Sequence, residues 1–205
     1  MSATTGDTVR AYDLDAAAYA ERTAQVPDRV RAALEDCAAR LGAGARVLEI
    51  GSGGGRDAHV MEDLGLRVRR TDITPGFVAL LREQGHEADL VDPLVDDLVS
   101  PGGAYDAVWA NASLLHVDRP DLPTVLSRLA EVTRAGGLLL VSLKEGDGEG
   151  WSTHGSVRRP RHFTYWRAPA LTEVASAAGW TDLDVRSGLE GEAGESWLWL
   201  QGVRR

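Results

Sequence analysis

The chain has 205 residues, 43% of them hydrophobic, which suits one soluble domain with a real core, and no apolar run approaches the length of a membrane span. Its net charge of −9 and pI near 5.0 argue against nucleic acid as the main partner, because such a chain repels polyphosphate at long range. The single cysteine, Cys37, excludes an internal disulfide, fits a reducing cytoplasm and lies in a helical pattern, so an inert thiol is expected; no Cys/His cluster has ligand spacing, so no metal is expected.

The N-terminus, Met1-Ser2-Ala3-Thr4-Thr5-Gly6-Asp7, lacks a basic region followed by an apolar one, so no secretory leader is expected, and residues 1–10 are polar enough to fray. Val30, Ala33, Leu34, Cys37 and Leu41 recur at helical spacing over Val26–Leu41, and Gly42 and Gly44 stop that helix before a strand begins at Arg46. A helix over about Arg56–Leu64 closes at Gly65. A second strand, Leu66–Thr71, ends at Asp72, and Thr74-Pro75 opens a helix reaching about Gln84. A short third strand covers Glu87–Val91. The fourth and fifth, Tyr105–Ala110 and Leu138–Leu143, enclose a helix capped by Asp118 or Asp121, with Leu122, Val125, Leu126 and Leu129 on its inner face. A helix at about Pro169–Ala178 precedes two last strands, Thr181–Arg186 and Ser196–Val203. The alternation implies a parallel sheet covered on both faces, and the missing helix between the last two strands brings the final one in antiparallel. Residues 144–168 show little regular pattern, and connections of that length are often lids or binding loops.

The stretch Arg46-Val47-Leu48-Glu49-Ile50-Gly51-Ser52-Gly53-Gly54-Gly55-Arg56-Asp57 carries the most information. An apolar strand ends in an acidic residue and runs into glycines, whose bare backbone lets a ligand approach, and the next helix offers its positive end. A dinucleotide fingerprint wants a small residue three positions after the second glycine; Arg56 stands there, so the NAD reading fails. This stretch resembles motif I of the class I S-adenosylmethionine (SAM) methyltransferases of the small-molecule type. Ala88-Asp89-Leu90 and the segment Tyr105–Val117 resemble motifs III and IV in the same order. The resemblance implies an α/β fold, a three-layer Rossmann-like sandwich with a seven-stranded, mostly parallel sheet and an antiparallel last strand. It also implies S-adenosyl-L-methionine as cofactor and S-adenosyl-L-homocysteine as product.

Residue by residue, the resemblance places Gly51, Ser52 and Gly53 in the cofactor turn and Glu49 as an anchor for the methionyl amine. Asp72, at the carboxyl end of its strand with Ile73 beside it, is expected to take the ribose hydroxyls, unless it only caps the following turn. Arg56 either pairs with the methionine carboxylate or is an exposed first-turn arginine. Asp89 is expected on the adenine amino group, with Asp92 close enough to compete, and Leu90 as an apolar wall. Asn111 falls at the carboxyl end of its strand, with Leu115 and His116 one turn later where methyl donor and acceptor meet; Asp106 starts that strand and lies far from the site. Tyr12 and Tyr19 are expected to close over the methionine end, unless Tyr19 is a staple against the core.

Methyl transfer from a sulfonium needs alignment and exclusion of water, and a general base only if the acceptor arrives protonated. His116 is the candidate catalytic base, against a histidine merely bonded to backbone or packed beside the cofactor. Arg158-Arg159-Pro160-Arg161-His162 and Arg167, interleaved with Trp151, Phe163, Tyr165 and Trp166, are either solvated loop or a wall for an anionic or flat acceptor. The expectation is one domain over 1–205: a helical cap 1–45, a cofactor-binding core 46–143, an acceptor-side loop 144–168, and a final helix and strands 169–205. It is read as a cytoplasmic methyltransferase of a small-molecule acceptor, monomeric or weakly homodimeric, with no membrane partner. An RNA-modifying enzyme and a non-catalytic SAM-binding partner protein are the alternatives.

Overall fold

The computed structural model describes residues 3–155, 157–190 and 194–205. Three helices, α1 (Ala3–Asp13), α2 (Ala16–Arg22) and α3 (Asp28–Leu41), precede β1 (Arg46–Ile50). Then follow α4 (Arg56–Asp63), β2 (Arg67–Asp72), α5 (Pro75–Glu83), β3 (Ala88–Leu90), β4 (Tyr105–Asn111), a 3-10 turn (Leu114–His116) and α6 (Leu122–Val132). The chain ends with β5 (Thr133–Lys144), β6 (Glu149–Ser152), β7 (Arg161–Thr164), α7 (Ala168–Ala177), β8 (Trp180–Glu190) and β9 (Ser196–Arg204).

Seven strands form one sheet in the order β3-β2-β1-β4-β5-β9-β8. β1 to β5 pair in parallel, and β9 enters antiparallel to both β5 and β8, as the missing crossover helix requires. Side chains alternate between the two faces. Leu48, Ile50, Val108 and Leu139 pack toward α6 and α7, while Val47, Ala107, Trp109 and Leu140 pack toward α3 and α4. The chain leaves β1 toward β2 and β3, then crosses back to β4. The strand order therefore reverses between β1 and β4, and ligands of such sheets sit outside the carboxyl ends at that switch point.

Two expectations are corrected. Residues 3–10 are not frayed: they lie within α1, which buries Thr8 and Ala11; Met1 and Ser2 lie outside the described residues. Residues 144–168 are not an unpatterned loop either. β6 and β7 pair as an antiparallel ribbon, and Val157, Phe163 and Trp166 are buried. The ribbon escapes detection because all four β7 positions are buried, which removes the polar–apolar alternation a strand usually shows.

Cys37 is fully buried on the inner face of α3, and burial pushes its thiol up to about 12. A thiol-reactive disulfide reagent should leave the native protein unlabelled and modify one thiol per chain only after unfolding; labelling of the native state would show that α3 opens.

Candidate functional site

The turn after β1 is built by backbone. Gly51 and Ser52 donate to the Thr71 carbonyl at 2.9 and 3.0 Å, which ties the turn to the end of β2. Gly51 has φ +78°, and a Cβ there would stand 2.3 Å from the Cβ of Ser113. Its smallness therefore lets the turn after β4 approach. Gly53, at φ +53°, has only the Tyr19 ring near its absent Cβ, at 3.8 Å, so its backbone faces open space.

Asp72 joins this turn to α5. Its Oδ2 accepts from the Gly53 N–H and its Oδ1 from the Thr74 N–H, both at 2.8 Å. The carboxylate is 6% exposed, and burial raises its pKa. It borders a cavity of about 130 Å³ walled by Ile73, Phe77, Val91, Asp92 and Leu114 and roofed by Thr8, Val9 and Tyr12 of α1. A second cavity of about 610 Å³ lies on the other side of the turn, bordered by Glu49, Ser52, Arg56, Asp57, Trp109 and Asn111. Tyr19, Gly51, Gly53 and Ala112 line both, so the two spaces adjoin across the glycine turn.

Glu49 projects from β1 into the second cavity. It is 2% exposed, and among the described residues its Oε2 has no hydrogen-bond partner. Burial, then the charge of Asp57, pushes its pKa up to about 8. Asp57 is itself satisfied: its Oδ2 accepts from Trp109 Nε1 at 3.0 Å and Asn111 Nδ2 at 2.8 Å. Asn111 is oriented in turn by the Ser142 hydroxyl, which donates to its Oδ1 at 2.6 Å. The arrangement holds a buried carboxylate oxygen ready for a cationic donor beside the turn.

Tyr12 and His116 form the partition at the far side of the first cavity. His116 Nδ1 lies 2.6 Å from the His162 carbonyl, which can only accept, so that nitrogen carries the proton. Nε2 is then the acceptor for the Tyr12 hydroxyl at 2.9 Å. Burial lowers the His116 pKa to about 3. Both ring nitrogens are engaged and the imidazole resists a proton, which suits a neutral wall and opposes the general-base role expected of it.

Of the expected site residues, Tyr12, Tyr19, Glu49, Gly51, Ser52, Gly53, Arg56, Asp72, Ile73, Asn111 and His116 border one or both cavities. Three assignments are corrected. Asp89 does not border the first cavity: Arg69 Nε on the neighbouring β2 holds its carboxylate at 2.7 Å, and Asp92 borders the cavity instead. Leu90 is 53% exposed and Val91 takes the apolar wall. Leu115 is buried in the core away from the cavity, and its neighbour Leu114, also buried, borders the cavity instead. Arg56 is neither exposed nor free: its Nη1 donates to the Thr23 and Gln25 carbonyls at 2.8 and 3.1 Å, strapping the α2–α3 connection to α4. Asp57, Phe77 and Trp109 were missed. The acidic residue following Arg56 at the first turn of α4 was the only signal, and acidic first-turn residues are commonplace.

Among the described residues no group of three or more His, Cys, Asp or Glu side chains could hold a metal, and no helix is long and apolar enough to cross a membrane. A family model described as a methyltransferase domain matches residues 22–185. The ubiquinone biosynthesis O-methyltransferase of Xanthomonas axonopodis pv. citri (strain 306) is 37% identical over 115 residues, 53% of this chain and 47% of that protein. The chain thus spans about half the length of the curated relatives it matches. Among solved structures, Burkholderia thailandensis 1,6-didemethyltoxoflavin-N1-methyltransferase, with bound 1,6-didemethyltoxoflavin and S-adenosylhomocysteine, superposes with a TM-score of 0.72 at 22% identity, covering 100% of this chain and 91% of that one. The [4+2]-cyclase SpnF superposes with a TM-score of 0.66 at 20% identity, over 86% of this chain and 80% of that one. At these identities the superpositions establish a shared fold.

Proposed function

The chain belongs to the methyltransferase-domain family, and from that premise we propose that it transfers a methyl group from SAM to an oxygen or nitrogen nucleophile of a small-molecule acceptor. The observation that carries the reading is Glu49. A buried carboxylate oxygen without a partner, beside a glycine turn, suits the ammonium of a methionyl group. Asp72 borders the adjoining cavity, where its remaining lone pairs suit ribose hydroxyls. Phe77, Val91 and Leu114 supply apolar surface for a purine, and Tyr19 lies at the junction. The residues present therefore fit SAM.

When bound, SAM supplies an electrophilic methyl group: the acceptor's lone pair forms the new bond to carbon, and the carbon–sulfur pair goes to sulfur, leaving neutral S-adenosylhomocysteine. The chain's own part is to bind, orient and exclude water. Roofing by α1 and the Tyr12–His116 partition serve that exclusion. The reading takes the chain as one catalytic unit, a monomer or weak homodimer, in a reducing cytoplasm; the single buried free cysteine bears on the last of these alone. An RNA acceptor is the weaker reading, because the net charge of −9 repels polyphosphate at long range and, of the basic side chains in the run, only Arg158 and Arg159 are exposed.

The fold neighbour named as a cyclase favours one second reading, a SAM-binding protein that transfers no methyl group. Calorimetry with SAM, S-adenosylhomocysteine and NAD, followed by labelled SAM with fractionated host metabolites, separates the cases. Binding of SAM and its product but not NAD, with label entering a small molecule, is expected. Tight NAD binding without SAM binding would overturn the cofactor assignment, and SAM binding without any transfer would favour the second reading.

A further inference from the structure

Behind the Tyr12–His116 partition lie two buried cations that the mechanism above does not use. Arg161, on β7, is 3% exposed, and Lys144, at the carboxyl end of β5, is 7% exposed. They flank one ring: Lys144 Nζ is 4.3 Å from the centroid of Phe163, and the Arg161 guanidinium carbon is 5.2 Å from it. No carboxylate lies within 4 Å of either among the described residues. Arg70 provides the contrast. It is equally buried, at 4%, but Glu62 holds it in a two-point ion pair at 2.6 and 2.7 Å.

An uncompensated buried charge is costly, and arginine cannot relieve the cost by losing its proton. Arg161 spends its Nη2 on the His154 and Val157 carbonyls, at 2.6 and 3.4 Å, and its Nη1 on the Tyr12 hydroxyl at 3.3 Å; its Nε has no partner. Among the described residues the Lys144 ammonium has no hydrogen-bond partner, only ring contacts with Phe163 and Trp197, and Glu195 acts on it from beyond ion-pair distance. Lys144 is also the only lysine in the chain. Two ring faces and a distant carboxylate compensate a buried ammonium less than an ion pair would, and a methionine would make the same ring contacts without the charge.

Resting on the methyl-transfer reading, we infer that the acceptor carries an oxyanion, a carboxylate or an ionised hydroxyl, and that Arg161 and Lys144 bind it against the Phe163 ring. The Tyr12 phenol stands between the guanidinium and the first cavity, so it is the group that must swing for the anion to arrive. Both cations lie at the carboxyl-end side of the sheet, next to the wall formed by His116, whose ring sits 4.7 Å from that of Phe163. The assignment also explains why His116 is built as a neutral wall. An acceptor methylated at an ionised oxygen has no proton to lose, and one held by a separate carboxylate is positioned by its charge.

The test measures binding to the enzyme loaded with S-adenosylhomocysteine, using matched pairs: benzoate against benzamide, and 4-nitrophenolate against 4-nitroaniline. The wild-type protein should prefer at least one anion over its neutral partner by about tenfold, as a charge-assisted hydrogen bond provides. Lys144→Met should erase that preference while leaving the thermal midpoint no lower and the affinity for S-adenosylhomocysteine unchanged. Arg161→Gln serves as the second variant, with the same loss expected. Equal binding of anion and neutral partner in both pairs by the wild-type protein would overturn the proposal. So would a drop in S-adenosylhomocysteine affinity in Lys144→Met with anion preference intact, because the cations would then serve the cofactor. Failure of the wild-type protein to bind S-adenosylhomocysteine at all would instead sink the underlying methyl-transfer reading.

Discussion

Asp72→Ala should lower cofactor affinity and fold stability together. The carboxylate holds two backbone donors, Gly53 and Thr74, at 2.8 Å each, and stands at the cavity wall. Removing it strands both N–H groups near the turn, and an unsatisfied buried donor costs about 1–3 kcal/mol. The proposed ribose contact is a further charge-assisted hydrogen bond worth about 1.5–3 kcal/mol, roughly ten- to a hundred-fold in affinity. Asp72→Asn should fall between the two, because the amide keeps one acceptor oxygen for either Gly53 or Thr74. Denaturant midpoints with calorimetric titration of S-adenosylhomocysteine check both effects. A variant with wild-type stability would mean that the turn is held by the Thr71 carbonyl alone, and unchanged affinity would place the ribose elsewhere.

The strands and the glycine turn were legible because both leave local marks. The apolar run of β4 ends in Asn111 at the carboxyl edge, and Gly51, with positive φ and the Ser113 side chain against it, had to be glycine. Legibility failed wherever a role depends on which way a short element faces. β3 has three residues, so a shift of a few positions moves the cavity contact from Asp89 to Asp92 and from Leu90 to Val91. In the three-residue 3-10 turn a shift of one position likewise decides the contact, and Leu114 rather than Leu115 meets the cavity. α1 went unnoticed because only Thr8 and Ala11 of its residues are buried, too few for a helical apolar stripe. His116 borders the cavity, yet its chemistry was not readable. The carbonyl of His162, 46 positions away, decides which ring nitrogen bears the proton.

Glu49→Gln should stabilise the ligand-free protein at pH 8 while weakening cofactor binding. Burial and the neighbouring charge of Asp57 move Glu49 from the ordinary 4.5 to about 8 in the folded state. Between those values the folded chain keeps a proton that the unfolded chain has released, so unfolding is favoured progressively as pH rises. The stability linked to this group is complete below pH 4.5 and is lost as the pH climbs toward 8, beyond which both states are ionised. Each pH unit in that window is worth about 1.4 kcal/mol, so the loss amounts to several kcal/mol. Glutamine does not titrate, and the stability gain over wild type should grow from nearly nothing at pH 4.5 to its full size at pH 8. A bound ammonium would reverse the preference by favouring the carboxylate, so SAM binding near pH 7 should release a proton from the wild-type protein. Calorimetry in buffers of different ionisation enthalpy measures that release, which should be absent in the variant. A variant that is destabilised at pH 8 and binds SAM with wild-type affinity and proton release would remove Glu49 from the cofactor site. The expected pattern would instead identify a carboxylate retained at a cost to folding because the ligand's cation needs it.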